Sequence, residues 1–97
     1  MARYVTLYQF TDQGIRNVKD SPARLKAALK KAESLGLKVV ATYYTEGPYD
    51  LITISEAADE KKALAFAIGT AAQGNVRSTT MRAHNADEFE AILKLMS

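Results

Sequence analysis

The period of the hydrophobic positions changes along this chain, and each change marks an element. Arg3 to Phe10 reads Arg-Tyr-Val-Thr-Leu-Tyr-Gln-Phe, dense in β-branched and aromatic residues, and predicts a strand. Thr11 to Asp20 is polar, with Asp12, Gly14, Asn17 and Asp20 as loop formers, and predicts a loop. Ser21 then suits an N-cap and Pro22 the first helical position. Leu25, Ala28, Leu29, Ala32 and Leu35 follow at helical spacing, and Gly36 supplies the stop. Two strand-like runs, Leu37 to Glu46 and Leu51 to Ser55, flank Gly47-Pro48-Tyr49-Asp50. Gly47 takes positive φ without penalty and Pro48 fixes its own φ, so the chain reverses there as a hairpin. A second helical stripe is expected at Leu64, Ala67, Ile68, Ala71 and Ala72, ended by Gly74-Asn75. Val76 to Ala83 reads as a fourth strand. Asn85 with Glu88 has the spacing of a capping box, and Phe89, Ile92, Leu93 and Met96 give a short C-terminal helix an apolar face.

The order β-α-β-β-α-β plus a terminal helix, with right-handed crossovers, predicts an α+β ferredoxin-like sandwich. Its sheet would hold four antiparallel strands in the order 4-1-3-2, with two helices on one face. Strand side chains alternate between faces. The aliphatic set, Val5, Leu7, Leu37, Val39, Ala41, Ile52 and Ile54, is expected under the helices. Tyr4, Thr6, Tyr8, Phe10, Val40, Thr42, Tyr44, Leu51 and Thr53, with Ser78 and Thr80, would then form the helix-free face. That surface is too apolar to stay wet. A second copy packed sheet against sheet would cover it, giving a homodimer of the dimeric α/β-barrel type. The tyrosines and threonines would make either a plain interface or a cavity between the sheets for a small molecule.

Composition narrows this picture little. Ninety-seven residues make one domain, 1–97. The net charge is +2 with signs mixed, and Arg24, Lys26, Lys30 and Lys31 read as a solvated helix face, so no nucleic-acid partner is expected. The third strand, Tyr-Asp-Leu-Ile-Thr-Ile, also lacks the motif of RNA-recognition domains. The chain has no cysteine, which rules out disulfides and thiolate chemistry and fits a cytoplasmic protein. No apolar run reaches a membrane span and no signal peptide is expected. One histidine, His84, is too little for a dedicated metal site, and no cofactor is expected.

Thr11-Asp12-Gln13-Gly14, Ser21-Pro22-Ala23-Arg24, Leu35-Gly36, Tyr43 to Asp50, Gly74-Asn75-Val76-Arg77 and Thr79-Thr80 together resemble the GYD family of small bacterial and archaeal proteins. The resemblance runs over nearly the whole chain. It implies a ferredoxin-like fold and brings no established activity or catalytic residue.

Topology locates a candidate site. The end of the first strand, the hairpin turn and the loop into the fourth strand share one edge of the sheet. That edge is expected to gather Thr11, Asp12, Arg24, Tyr49, Asp50, Asn75 and Arg77. As a site, the arginines would hold an anion and Asp12 or Asp50 would act as base. As structure, the carboxylates would hold loop amides or pair with Arg24 and Arg77. Two functions follow: a homodimeric small-molecule-binding or accessory protein, or a cofactor-independent enzyme of the isomerase or oxygenase type.

Overall fold

The β-branched and aromatic run near the N-terminus forms the central strand, β1 (Ala2–Phe10). It pairs antiparallel with β3 (Leu51–Ala57) on one side and β4 (Val76–Ala83) on the other. Strand β2 (Lys38–Tyr44) pairs with β3 across the Gly47–Asp50 turn. The order is β2-β3-β1-β4, or 4-1-3-2 counted from the β4 edge. Helices α2 (Ser21–Ser34) and α3 (Glu60–Ala72) join the strands, and α4 (Ala86–Lys94) follows β4. The result is an α+β fold built on a four-stranded antiparallel sheet. The computed structural model describes residues 1–96; Ser97, the end of the expected domain, lies outside them.

Local chemistry accounts for the boundaries, and it departs from expectation in three places. Thr11 to Asp20 is not an open loop: it holds helix α1 (Asp12–Arg16) and a 3-10 turn, Val18–Asp20. Thr11 caps α1 by accepting from Gly14 N–H at 3.1 Å. Ser21 is the first residue of α2 rather than its cap, and its hydroxyl bonds the Tyr44 phenol at 2.8 Å instead. In α3 the inward face is Ala63, Phe66, Ala67 and Thr70, while Ile68 is 60% exposed. Alanines occur all round α3, so small apolar residues there do not define one stripe. Asp59 caps α3 by accepting from Lys61 N–H, and the Asn85–Glu88 capping box is formed on α4. Glu88 also meets Arg3 at 3.0 Å, which ties α4 to the start of β1.

The largest correction concerns the two faces of the sheet. Residues opposite one another in the ladder share a face. Tyr4, Ser55 and Arg82 align, as do Thr6, Thr53 and Thr80, and Tyr8, Leu51 and Ser78. This tyrosine and threonine face is the one the helices cover. Tyr4 and Val39 pack with Ala32 of α2 and Ala63 and Phe66 of α3 around Leu37 and Ala57. The aliphatic set, Val5, Leu7, Ile52 and Ile54, therefore faces the helix-free side, opposite to expectation. A register shift between Val39 and Ala41 also breaks the alternation on β2, so Val39, Thr42 and Tyr44 fall on the covered face while Ala41 and Tyr43 fall on the open one. Both faces are apolar enough to be buried, and a period of two cannot say which one is.

Candidate ligand site

Helices α2 and α3 stand off the sheet. No large side chain among the described residues is fully buried, and the core proper is Ala32, Leu37 and Ala57. Between helices and sheet lies a cavity of about 570 Å³. Its floor is Tyr4, Thr6, Tyr8 and Phe10 of β1, with Leu51, Thr53 and Ser55 of β3 and Thr80 and Arg82 of β4. Its walls are Leu25, Ala28 and Leu29 of α2 and Ala63, Leu64, Ala67 and Thr70 of α3. The hydroxyls expected between two sheets thus line a space inside one protomer.

Several of these polar groups satisfy each other. Thr6 and Thr80 hydroxyls lie 3.3 Å apart, and Thr70 Oγ1 donates to Phe66 O at 3.0 Å. Burial raises the Tyr8 phenol above its usual value, with the Thr53 side chain opposing that effect, so the phenol stays neutral. Arg82 lies over the Tyr4 ring at 5.8 Å, and its Nη1 donates to Arg3 O and Ala83 O. Arg24 differs: Nη1 donates to Asn17 O at 2.9 Å, but Nη2 is buried without an acceptor.

The seven expected site residues meet only in part. Thr11, Asp50 and Asn75 do converge at the end of β1, and their bonds there hold the backbone together. Thr11 N–H donates to Asn75 O at 3.1 Å and Thr11 Oγ1 donates to Gly74 O. The Asp50 carboxylate accepts from Phe10 N–H at 2.8 Å, and Asp50 N–H donates to Tyr8 O at 2.8 Å. Asn75 also accepts from Gln13 Nε2 and, with Arg24, lines the cavity. Tyr49 is half-buried in the turn, where its carbonyl accepts from Thr45 Oγ1 at 2.7 Å. Asp12 is exposed on α1. Arg77 pairs in register with Gln9, on the helix-free face. The expected Arg24 or Arg77 pairing with Asp12 or Asp50 is not made; ion pairs among the described residues join Arg3 to Glu56 and Glu88 and Lys94 to Glu90.

Two features were missed. Gln13 braces the same corner, donating to Gln73 O and Asn75 Oδ1. Gly14 packs so closely that a Cβ there would lie 1.9 Å from Asn75 O. The Gln13-Gly14 pair just after a strand was the available signal. Among the described residues no three His, Asp or Glu side chains could hold a metal ion, and no helix is long and apolar enough to cross a membrane.

An antiparallel sheet with helices on one face and a hollow between them defines a ferredoxin-like α+β protein with room for a ligand. Residues 4–93 match the GYD domain, and the chain belongs to that family. It is 30% identical over 95 residues to a Thermus thermophilus protein named "Glutamine synthetase and cystathionine beta-lyase binding protein", across 97% of this chain and all of that one. Among solved structures it resembles FFRP-DM1, with a TM-score of 0.59 and 21% identity, covering 87% of this chain and 100% of that one. It also resembles TTHA0845 from Thermus thermophilus, with a TM-score of 0.56 and 22% identity, covering 89% of this chain and 96% of that one. The two structural likenesses speak for the fold alone.

Proposed function

We propose that the chain is a homodimeric accessory protein that binds a small molecule between its helices and sheet. The cavity carries this reading: about 570 Å³ falls within the roughly 300–1,000 Å³ of ligand pockets. Its lining is mostly apolar with a few convergent polar groups, which is how such pockets combine affinity with orientation. The accessory role draws on the relative named for binding two enzymes. A thermal-shift screen tests the site, since a ligand that prefers the folded state raises the melting temperature. A broad screen of apolar and amphipathic compounds with no shift at any concentration would refute it.

The dimer rests on the helix-free face. Two apolar rows cross the whole sheet there: Ala41, Ile54, Val5 and Met81, then Tyr43, Ile52, Leu7 and Thr79. Tyr43 is 62% exposed and Met81 45%. Lys38, Glu56 and Arg3 bound these rows at one end and Gln9 and Arg77 at the other. An apolar centre with a rim carrying both charges is complementary to its own two-fold copy. Strand spacing of about 4.8 Å and a rise of about 3.4 Å per residue make the two apolar rows about 19 Å by about 14 Å, roughly 270 Å², short of the roughly 800 Å² per partner of a stable interface. The α4 face supplies more, because Phe89, Ile92 and Leu93 are 53%, 41% and 46% exposed and Glu88 anchors the helix beside Arg3. Light scattering after size exclusion should give twice the 10.6 kDa chain mass, and Ile54→Lys should give the monomer. A wild-type monomer at micromolar concentration would refute the pairing.

A further inference from the structure

We propose that the cavity takes an elongated, largely apolar molecule bearing one carboxylate, with the carboxylate held by Arg24. The inference rests on reading the space between helices and sheet as a ligand site.

The shape comes from β1. Tyr4 and Phe10 both line the cavity and stand six residues apart on one strand, about 20 Å. Leu25, Leu29, Leu51 and Ala67 offer hydrocarbon along that length.

The charge comes from how the two arginines are satisfied. Helix α2 starts where Ser21 bonds Tyr44 and reaches Ala32 beside Leu37 and Ala57, so Arg24 lies near the Phe10 end. Its Nη2 is buried with no acceptor. A guanidinium cannot shed its proton, so an unfilled donor there persists in the empty protein. Nη2 can donate a charge-assisted hydrogen bond to a carboxylate oxygen while Nη1 stays with Asn17 O. Arg82, by contrast, is already bonded to two carbonyls and stacked on Tyr4. Glu60 also lines the cavity, one residue beyond the Asp59 cap of α3, and so belongs to the Tyr4 end. At the Tyr4 end Glu60 offsets the charge of Arg82, so the Arg24 end is the one with a buried cationic donor still to be filled. Tyr8, kept neutral by burial, adds a phenolic donor on the Arg24 side.

Calorimetric titration with decanoate and decan-1-ol separates the parts of this claim. A hydrogen bond to a charged partner corresponds to roughly tenfold or more in affinity, so decanoate should bind at least tenfold tighter than the alcohol. Arg24→Met should erase that preference, so that the acid binds no tighter than the alcohol. Ala67→Phe, which fills the lumen from α3, should weaken both. Equal wild-type affinity for acid and alcohol would overturn the carboxylate assignment while the ligand site stands. No binding of either, or undiminished binding to the Ala67→Phe protein, would overturn the site and this proposal with it. The wild-type preference is read without the arginine variant, so a folding defect in Arg24→Met leaves the test intact.

Discussion

Gly14→Ala should destabilise the protein although the residue sits in a helix. Gly14 does not have positive φ; only Gly36, Gly47 and Gly74 do. Helix propensity alone would therefore favour alanine by about 1 kcal/mol. The tertiary surroundings reverse the sign. The new Cβ would lie 1.9 Å from Asn75 O and 2.9 Å from Asn75 C, both backbone atoms. Reaching ordinary contact needs a retreat of about 1.5 Å, further than a packed loop concedes without loss. The Thr11 N–H to Asn75 O bond, 3.1 Å long, would break, and so would the Gln13 bonds to Gln73 and Asn75. At about 1 kcal/mol for each of these three bonds, plus about 1–3 kcal/mol of overpacking, the net cost is about 3–5 kcal/mol after the propensity gain. For a domain of this size that lowers the melting temperature by roughly ten degrees or more. Gly69→Ala is the matched control: it is also helical, and nothing lies within 4 Å of its added Cβ. It should gain about 0.5–1 kcal/mol. Urea unfolding followed by circular dichroism at one protein concentration gives both numbers. If Gly14→Ala were as stable as wild type, the close approach of α1 to the β4 entry loop would be wrong.

Other expectations follow from single contacts. Asp50→Ala should lose about 1–3 kcal/mol by stranding Phe10 N–H, whereas Asp50→Asn keeps an acceptor and should lose far less, with ligand affinity unchanged in both; a loss of binding with unaltered stability would instead make Asp50 a site residue. Because the folded Tyr8 pKa is raised, its stabilisation is complete below the unfolded value of 10.0 and is lost as pH rises through the folded value, so Tyr8→Phe should flatten part of the alkaline decline in melting temperature. If the helix-free faces pair, the melting temperature should climb with protein concentration in wild type and not in Ile54→Lys.

Much of the fold was legible in the sequence because its punctuation is local. The hairpin reads from Gly47 and Pro48, the α4 start from Asn85 and Glu88, and the α2 stop from Gly36. What was not legible depends on contacts between segments. Thr11 caps α1 through the local Gly14 N–H, but its hydroxyl is anchored by donating to Gly74 O, 63 positions away, a contact the local sequence does not show. Ser21 looked like a cap because the competing Tyr44 phenol is invisible in the local sequence. The two faces of β1 were exchanged because Tyr4, Thr6 and Tyr8 can be buried as readily as Val5 and Leu7 once their hydroxyls find partners. The candidate site suffered from the same gap. Shared topology brought Thr11, Asp50 and Asn75 to one corner, yet their polar atoms go to backbone groups, and only Arg24 and Asn75 reach the cavity. Topology fixes where a residue stands; it does not fix what its side chain touches.

The exchange of faces changes the physical case for a partner rather than removing it. With the tyrosines and threonines outside, their hydroxyls could have met water and softened the need for a cover. With Val5, Leu7, Ile52 and Ile54 outside, those rows offer water only the Tyr43 and Thr79 hydroxyls to bond. The covered side has the opposite character. There the helices enclose hydroxyls and an arginine around a hollow instead of a packed aliphatic core, so one protomer alone buries little large apolar surface. A chain of this length has a small margin of stability even when its core is well filled. A hollow core and a bare aliphatic face in the same protomer therefore point the same way. On the proposed reading, a ligand in the cavity and a second copy over the sheet would both stabilise the folded state, so binding and self-association would be coupled to folding rather than added to a finished domain.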